Sequence, residues 1–408
     1  MSNSKFVIVI PTYWSWERGK KSLPEDSIFD HPTPVDTEGT LPRTLEGFKN
    51  FQNNNFSVVL ITAPVNPKLT LSVEKKIEGL VKKYAKEYPI TQFGPTDLEY
   101  AQKLMEKNGI DYSIIGLSSY AQIRNSQLFA SILTGAQFSA AIDDDEVTPP
   151  DYLDIASEFI GKTKDGKKID GVAGIYLDKN GDYRLTEPPE ARTSKNLFDR
   201  KSALMNDEFS KYIETGERLQ ETAIALGGNM VFSRELMMKV PFDPLITRGE
   251  DIDYLINSKL FGFNWFLDRK LHITHLPPKP YYEHQINTSP YAKLQQDVIR
   301  FIYQKEKLKL SQNYPGVTEV KAEDLGFYPG EFLKDGLEEH ALEALKKNRP
   351  KDADERFFPK PEKLIEQALE RAKNAHTFFE FAKKWRENIE KIAGVKELSE
   401  YMYRKLKL

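Results

Sequence analysis

The chain has 408 residues, more than one hydrophobic core usually supports, so we expect a large domain with a smaller partner or two domains. Lys and Arg total 58 against 61 Asp and Glu, a net charge of -3 that provides no overall attraction for nucleic acid or an anionic membrane. The absence of cysteine excludes disulfides, thiolate nucleophiles, zinc fingers and iron–sulfur clusters, and fits a cytoplasmic location.

Hydrophobic residues make up 39% of the chain and aromatic residues 12%, enough to build a sizeable buried core. No window reaches about 18 apolar residues, so the sequence predicts no integral membrane segment. These properties favour a folded protein and exclude a disordered one.

The first 150 residues alternate strand-like and helix-like segments, the pattern of a parallel sheet with crossover helices. Continuous Val and Ile runs indicate strands that are buried on both faces. In chain order we expect a strand at 6–10, a helix at 41–51, a strand at 57–62, a helix at 71–87, a strand at 112–116, a helix at 120–134 and a strand at 140–142. The predicted fold class is therefore α/β.

The composition and the hydrophobic pattern of the sequence change near residue 291. Before it, strands are expected at 171–176 and 265–274, and a helix directly after Asp251. Beyond it, strand-like runs stop and amphipathic stretches rich in Lys and Glu follow. We predict an α/β domain at residues 1–290 and a helical region at 291–408. Formation of a homo-oligomer, membrane contact and packing on the first domain are open as roles for these helices.

Four consecutive acids, Asp143 to Glu146, follow the strand expected at 140–142. Neighbouring carboxylates repel one another unless a cation offsets them, and a hard divalent ion is the natural partner. On an extended backbone Asp143 and Asp145 would point to one side and Asp144 to the other. Because open α/β sheets bind ligands at the carboxyl ends of their strands, the run predicts a metal site. The competing interpretation is a solvated acidic turn ahead of a helix near Pro149.

Six short motifs occur in an order that resembles family 2 glycosyltransferases and their relatives with the GT-A fold. They are Pro11-Thr12-Tyr13, Leu41-x-x-Thr44-Leu45, Ile123-Arg124-Asn125, Asp143-Asp144-Asp145, Gly227-Gly228-Asn229 and Gly249-Glu250-Asp251. The resemblance covers roughly residues 5–278. It implies a mixed, mainly parallel sheet flanked by helices, and a hexosyltransferase that moves a sugar from a nucleoside-diphosphate sugar to a hydroxyl acceptor.

The resemblance also implies a donor site and a divalent metal, Mg2+ or Mn2+, as cofactor. Asp143 and Asp145 match the DxD signature, in which the first acid faces the ribose or the metal and the second binds the ion. His275 is a candidate third ligand, and His272 a weaker one. The residues expected to bind the donor are Pro11, Thr12, Tyr13, Arg124, Asp143 and Asp144.

On the acceptor side, Asp251 matches the general base of inverting members, and Glu250 lies beside it. Acids at a helix start also complement its dipole, which is a competing explanation for the pair. Gly228, Asn229 and Arg248 are expected to bind the acceptor. A small anionic acceptor of polyol type is one option. The basic residues that could bind it are Arg192, Lys195, Arg200 and Arg248. Assembly of a glycan is the alternative setting.

The sequence departs from the family where Ile61 runs into Thr62-Ala63-Pro64, since members commonly place an aspartate pair there to hold the base. This departure leaves the donor base open between uridine and guanosine, so we expect a GDP-linked or a UDP-linked sugar. The acid run also fits the DxDx[TV] pattern of haloacid-dehalogenase-like phosphohydrolases, although Pro244 to Thr247 is a poor candidate for the second buried strand they need. A nucleotide-binding protein without catalysis is the non-enzymatic alternative.

Overall fold

A computed structural model describes residues 5–20, 26, 28–278 and 289–406. The strands in these ranges are β1 (Phe6–Ser15), β2 (Thr33–Pro34), β3 (Phe56–Pro64), β4 (Ile90–Phe93), β5 (Phe138–Ala141), β6 (Glu146–Val147), β7 (Thr163–Lys164), β8 (Lys167–Lys168), β9 (Gly171–Leu177), β10 (Leu219–Glu221), β11 (Met230–Ser233) and β12 (Trp265–His275). The α-helices are α1 (Leu41–Gly47), α2 (Thr70–Tyr84), α3 (Pro95–Lys107), α4 (Tyr120–Leu133), α5 (Tyr152–Phe159), α6 (Lys201–Ile213), α7 (Arg234–Lys239), α8 (Glu250–Leu260), α9 (Pro290–Ser311), α10 (Leu337–Asn348), α11 (Pro361–Ala372), α12 (His376–Ile392) and α13 (Lys396–Leu406).

One mixed sheet organises the molecule, in the order β10-β12-β9-β11-β5-β1-β3-β4, with β2 beside β1 and β6 beside β12. The pairs β5–β1, β1–β3, β3–β4 and β9–β12 are parallel, whereas β11 is antiparallel to both β5 and β9. Helices flank this mostly parallel sheet, which confirms the predicted fold class. A helical region follows the sheet in the chain, as expected.

The central strands explain why the sheet forms from this sequence. Val7 and Ile8 of β1 are fully buried, and Ile8 lies opposite Val58 on one side and Ala140 on the other. Branched side chains buried on both faces are typical of parallel strands covered by helices. Because β1, β3 and β5 are parallel, their carboxyl ends lie at one edge of the sheet.

The same edge receives the end of β12. The pairing through β9 and β11 makes β12 run in the direction of β5, so that β12 ends where β5 ends. The short strand β6 pairs antiparallel with β12, and this register places Glu146 opposite His275. Two segments that are far apart in sequence therefore meet at the carboxyl edge.

The prediction of a strand at 112–116 is wrong. Residues Tyr112–Ile114 form a single 3₁₀ turn because the Asp111 carboxylate accepts a hydrogen bond of 2.8 Å from the backbone N–H of Ser113. The strand beside β3 is instead β4, Ile90–Phe93, which is only four residues long. A run this short carries too little periodicity to be recognised in the sequence.

The C-terminal helices pack directly on the sheet region. Trp385 of α12 is fully buried and its indole N–H donates a 3.1 Å hydrogen bond to the backbone oxygen of Met237. Ile389 and Met402 belong to the same hydrophobic cluster as the strands of the sheet. The domain division at residue 290 stays a prediction, and residues 279–288 beside it lie outside the described ranges. In those ranges no helix is both long and apolar enough to cross a membrane.

Candidate metal and transfer site

The four acids after β5 lie on a turn, and the extended backbone assumed from the sequence is wrong. The backbone N–H of Glu146 donates to the Asp143 oxygen at 3.4 Å, while the N–H of Asp143 donates to Glu146 Oε2 at 2.8 Å. Thr44 of α1 supports the turn from outside, since its hydroxyl donates to the backbone oxygens of Asp144 and Glu146. Side chains on a turn do not alternate, so Asp145 and Glu146 lie together.

The turn and the end of β12 form a compact set of metal-ligating groups. One oxygen each of Asp145 and Glu146 and one ring nitrogen of His275 lie within 4.8 Å of one another. Asp145 Oδ1 is 3.6 Å from His275 Nδ1. Glu146 Oε1 and His275 Nδ1 are buried and have no hydrogen-bond partner among the described residues. Buried polar atoms without partners are costly unless another group meets them.

Burial also raises the pKa values of the acids. Loss of solvent raises the pKa of Asp144 to about 8, although the Thr12 hydroxyl, which donates to Asp144 Oδ2 at 2.9 Å, partly opposes the rise. Burial raises the pKa of Asp145 and that of Glu146 as well, and the charge of Asp143 adds to both effects. Without a cation these carboxyl groups resist ionisation, and a cation would reverse that tendency.

These residues fit a divalent metal. Two carboxylates and one imidazole, with two donor atoms that have no other partner, are ligands that Mn2+ accepts. Mg2+ prefers a set made of oxygen alone, so the imidazole favours Mn2+ over Mg2+.

Arg124 of α4 links the turn to α8. Its guanidinium is buried and lies 3.2 Å from Asp143 Oδ1 and 3.2 Å from Glu250 Oε1. The Gly227-Gly228 pair makes room for these side chains: a Cβ at Gly227 would collide with the Arg124 guanidinium, and one at Gly228 with the Glu146 carboxylate. The two glycines therefore let Arg124 and Glu146 lie directly against the backbone of this segment.

A cavity of about 320 Å³ opens beside this arrangement. Glu250 and Asp251 line it at the start of α8, where Gly249 adopts the left-handed conformation with φ of 69°. Asp251 accepts hydrogen bonds from the N–H groups of Gly227, at 3.0 Å, and Ile252, at 2.8 Å. Burial raises the pKa of Glu250, and its ion pair with Arg124 opposes that rise.

The remaining predicted site residues lie at different depths. Tyr13 of β1 packs its ring 4.4 Å from that of Phe29, and Pro11 is buried in the same strand. Arg248 lines the cavity and pairs with Asp30 at 2.7 Å. Asn229 is fully buried and its amide donates to the backbone oxygens of two strands. Its acceptor role stays a prediction.

Sequence reasoning missed several residues that the fold brings to the site. In the sequence, Glu146 is only the last member of the acid run, and nothing there marks it as a metal ligand. The cavity is also lined by side chains from α6 and from α9, the first helix of the C-terminal region, namely Lys201, Asp297 and Arg300. No local pattern marks these three, since their position depends on how α6 and α9 converge on the cavity. His272, in contrast, lies with its ring nitrogen 3.0 Å from its neighbour Lys270 O and not in the metal-ligating set.

No protein-family model and no curated protein matches the chain. Among solved structures it is similar to a mannosyltransferase from Pyrobaculum calidifontis in complex with GDP-Man and Mn2+, with a TM-score of 0.45 and 12% identity over 93% of this chain and 84% of that one. It is also similar to GalNAc-T7 with UDP, GalNAc and Mn2+, with a TM-score of 0.43 and 12% identity over 87% of this chain and 58% of that one.

Proposed function

We propose that this chain is a metal-dependent glycosyltransferase that moves a sugar from a nucleoside-diphosphate sugar to an acceptor hydroxyl with inversion. The observation that carries the proposal is the set of Asp145, Glu146 and His275, with two unpartnered donor atoms, at the carboxyl edge of the sheet and close to the cavity that holds Asp251. The order of the motifs in the sequence supports the same proposal. In the fold, Arg124 connects Asp143 of the acid run to Glu250 at the helix start.

Asp145, Glu146 and His275 would hold the cation, and we infer Mn2+ from the imidazole in the set. A bound cation supplies neutralisation of the charge that develops on the leaving diphosphate. Arg124, a buried cation beside Asp143, adds a fixed positive charge on the cavity side of the turn. Thr12 holds Asp144 in place through its hydroxyl, so the first strand orients the acids.

Asp251 would act as the general base. Two backbone N–H groups orient its carboxylate in the cavity wall, where it can meet the proton of an acceptor hydroxyl. Glu250 is less suited to this role, since it is buried and paired with Arg124. Asp143 is also paired with Arg124, which argues against its use as a free nucleophile in a phosphohydrolase.

A thermal-shift panel of UDP-, GDP- and dTDP-sugars, with and without Mn2+, tests the proposal, because a ligand of the folded state raises its melting temperature. At least one donor should stabilise the protein only when Mn2+ is present, and release of free nucleoside diphosphate should follow. Asp145→Asn should abolish the Mn2+-dependent shift and lower turnover by about 100-fold or more.

The matched control is Asp154→Asn, which removes an exposed carboxylate on the nearby helix α5 and should leave both readouts unchanged. Equal Mn2+-dependent shifts in the two variants would overturn the metal assignment. Capture of a covalent phosphate on Asp143 would instead establish the phosphohydrolase.

A further inference from the structure

The two ends of the cavity carry opposite charge. At the end next to the sheet, Asp143 and Glu250 pair with Arg124, and Asp251 adds a third carboxylate to the lining. The far end is lined by the cations Lys201, Arg248 and Arg300, together with Asp30 and Asp297. The three cations come from α6, from the loop before α8 and from α9, so the far end exists only in the folded chain.

The ion pairs at the far end leave an excess of positive charge. Asp297 meets Lys201 at 2.5 Å and Arg300 at 2.8 Å. Asp30 meets Arg248 at 2.7 Å, and Lys293 of α9 at 3.9 Å. Three lining cations therefore share two carboxylates, which leaves a charge of +1 at this end, and Lys293 approaches Asp30 from outside the lining. A recessed excess of charge is costly unless a counter-charge meets it.

Arg300 shows that this end is close to the proposed base. Its side chain is 3% exposed, and its Nε has no hydrogen-bond partner among the described residues. A Cβ on Gly249 would collide with its guanidinium, so Arg300 lies directly against the residue that precedes Glu250 and Asp251. The positive end and the general base thus lie on either side of one turn of backbone.

We propose that the acceptor is a small hydroxylated anion, whose carboxylate or phosphate binds the positive end while its hydroxyl faces Asp251. This rests on the proposed function. In the transfer, the acceptor oxygen forms a bond to the anomeric carbon and the bond from that carbon to the diphosphate breaks. The proton of the hydroxyl passes to Asp251, and the bonding electron pair leaves with the nucleoside diphosphate.

The structure changes which basic residues carry this anion site. Arg248 alone of the four predicted from the sequence lines the cavity. Arg192 is exposed and paired with Glu187 and Asp207. Lys201 and Arg300 replace the other predicted residues, because α6 and α9 converge on the cavity.

Isothermal titration of the full chain with glycerol, glycerate and glycerol 3-phosphate tests the proposal, since the three share one carbon skeleton and differ in charge. At least one anion should bind tenfold or more tightly than glycerol, and the preferred anion identifies carboxylate or phosphate as the group recognised. Lys201→Gln and Arg248→Gln should each weaken that binding tenfold or more.

Lys211→Gln is the matched control: it lies on the same helix α6, also pairs with a buried acid, and does not line the cavity. It should bind the anion as the unchanged chain does. Failure of both anions to bind more tightly than glycerol, or equal binding by all variants, overturns the inference. Anion binding without any donor binding would instead refute the proposed transferase and leave the anion site standing.

Discussion

Two groups of charged residues in this molecule both bring carboxyl groups together, but they differ in whether a Lys or Arg neutralises them. The sheet-edge cluster comprises Asp144, Asp145, Glu146 and His275. The helix cluster comprises Asp243, Asp253 and Lys307, and it joins α9, the first helix of the C-terminal region, to α8. In the helix cluster Lys307 is fully buried and donates to Asp243 at 3.1 Å and to Asp253 at 2.7 Å.

The partners of the carboxyl groups distinguish the two clusters. Tyr303 and Gln304 of α9 add further donors to the helix cluster, with bonds of 2.9 Å to Asp243 and 3.0 Å to Asp253. The sheet-edge acids form no ion pair with Lys or Arg anywhere in the described chain, and Glu146 Oε1 has no donor there. Acids that the fold compensates serve packing, whereas acids that it leaves uncompensated point to a ligand.

Lys307→Met breaks the compensated cluster and should have the largest effect on stability. Two buried carboxylates would lose their cation, so we expect the free energy of unfolding to fall by about 3–5 kcal/mol, measured by urea denaturation. Lys309→Met, an exposed lysine on the same helix, should change it by about 0.5 kcal/mol or less. Equal effects of the two substitutions would show that Lys307 does not neutralise the cluster.

Added Mn2+ completes the uncompensated cluster and should stabilise the chain. At a free concentration about 100 times Kd, binding to the folded state alone raises the free energy of unfolding by about 2.7 kcal/mol. Glu146→Gln should remove most of this gain because it replaces a charged ligand by a neutral one. Asp154→Asn should keep the full gain, and loss of the gain in that control would place the ion elsewhere.

Gly228→Ala sharpens the link between the backbone and the sheet-edge cluster. The added Cβ would collide with the Glu146 carboxylate, so the side chain must move, at a cost of about 1–3 kcal/mol in stability. Mn2+ affinity should fall with it. At Gly216 a Cβ meets nothing within 4 Å, so Gly216→Ala is the control and should retain Mn2+ affinity. Unchanged Mn2+ affinity in Gly228→Ala would contradict the packing described.

Per pH unit, the pH dependence of the metal-free chain should show the smallest effect. The folded pKa of Asp144 is about 8, above the unfolded value of about 3.9, so the folded state holds a proton that the unfolded chain releases between these values. The contribution of Asp144 to the free energy of unfolding should therefore fall as pH rises through this window, by at most about 1.4 kcal/mol per pH unit. Urea denaturation in a chelator at pH 5, 6, 7 and 8 measures this slope.

Asp144→Asn removes one of the titrating groups and should reduce that slope, while Asp145 and Glu146, whose pKa values burial also raises, keep the rest. Persistence of the full slope in the variant would assign it to another residue. Saturating Mn2+ should flatten it too, because a cation favours the ionised acids throughout the window.

Five strands (β1, β3, β5, β9 and β12), the helix with Arg124 and the position of the acids were predictable because they depend on local pattern. Residues 7–10 are all Val or Ile, and such an uninterrupted β-branched run indicates a strand that is buried on both faces. The strand at 90–93 escaped prediction because four residues carry little periodicity, and 112–116 was misassigned because an aspartate cap turned the backbone.

The sequence alone determined an α/β fold, a run of acids after a buried strand and a second pair of acids at a helix start. Tertiary structure decided the rest: the pairing of β6 with β12 placed Glu146 opposite His275, and the packing of α9 placed Arg300 beside Gly249 and Lys307 between two aspartates. The physical reason is that periodicity reports which face of an element is buried, whereas compensation of a buried charge depends on residues that only the folded chain brings near.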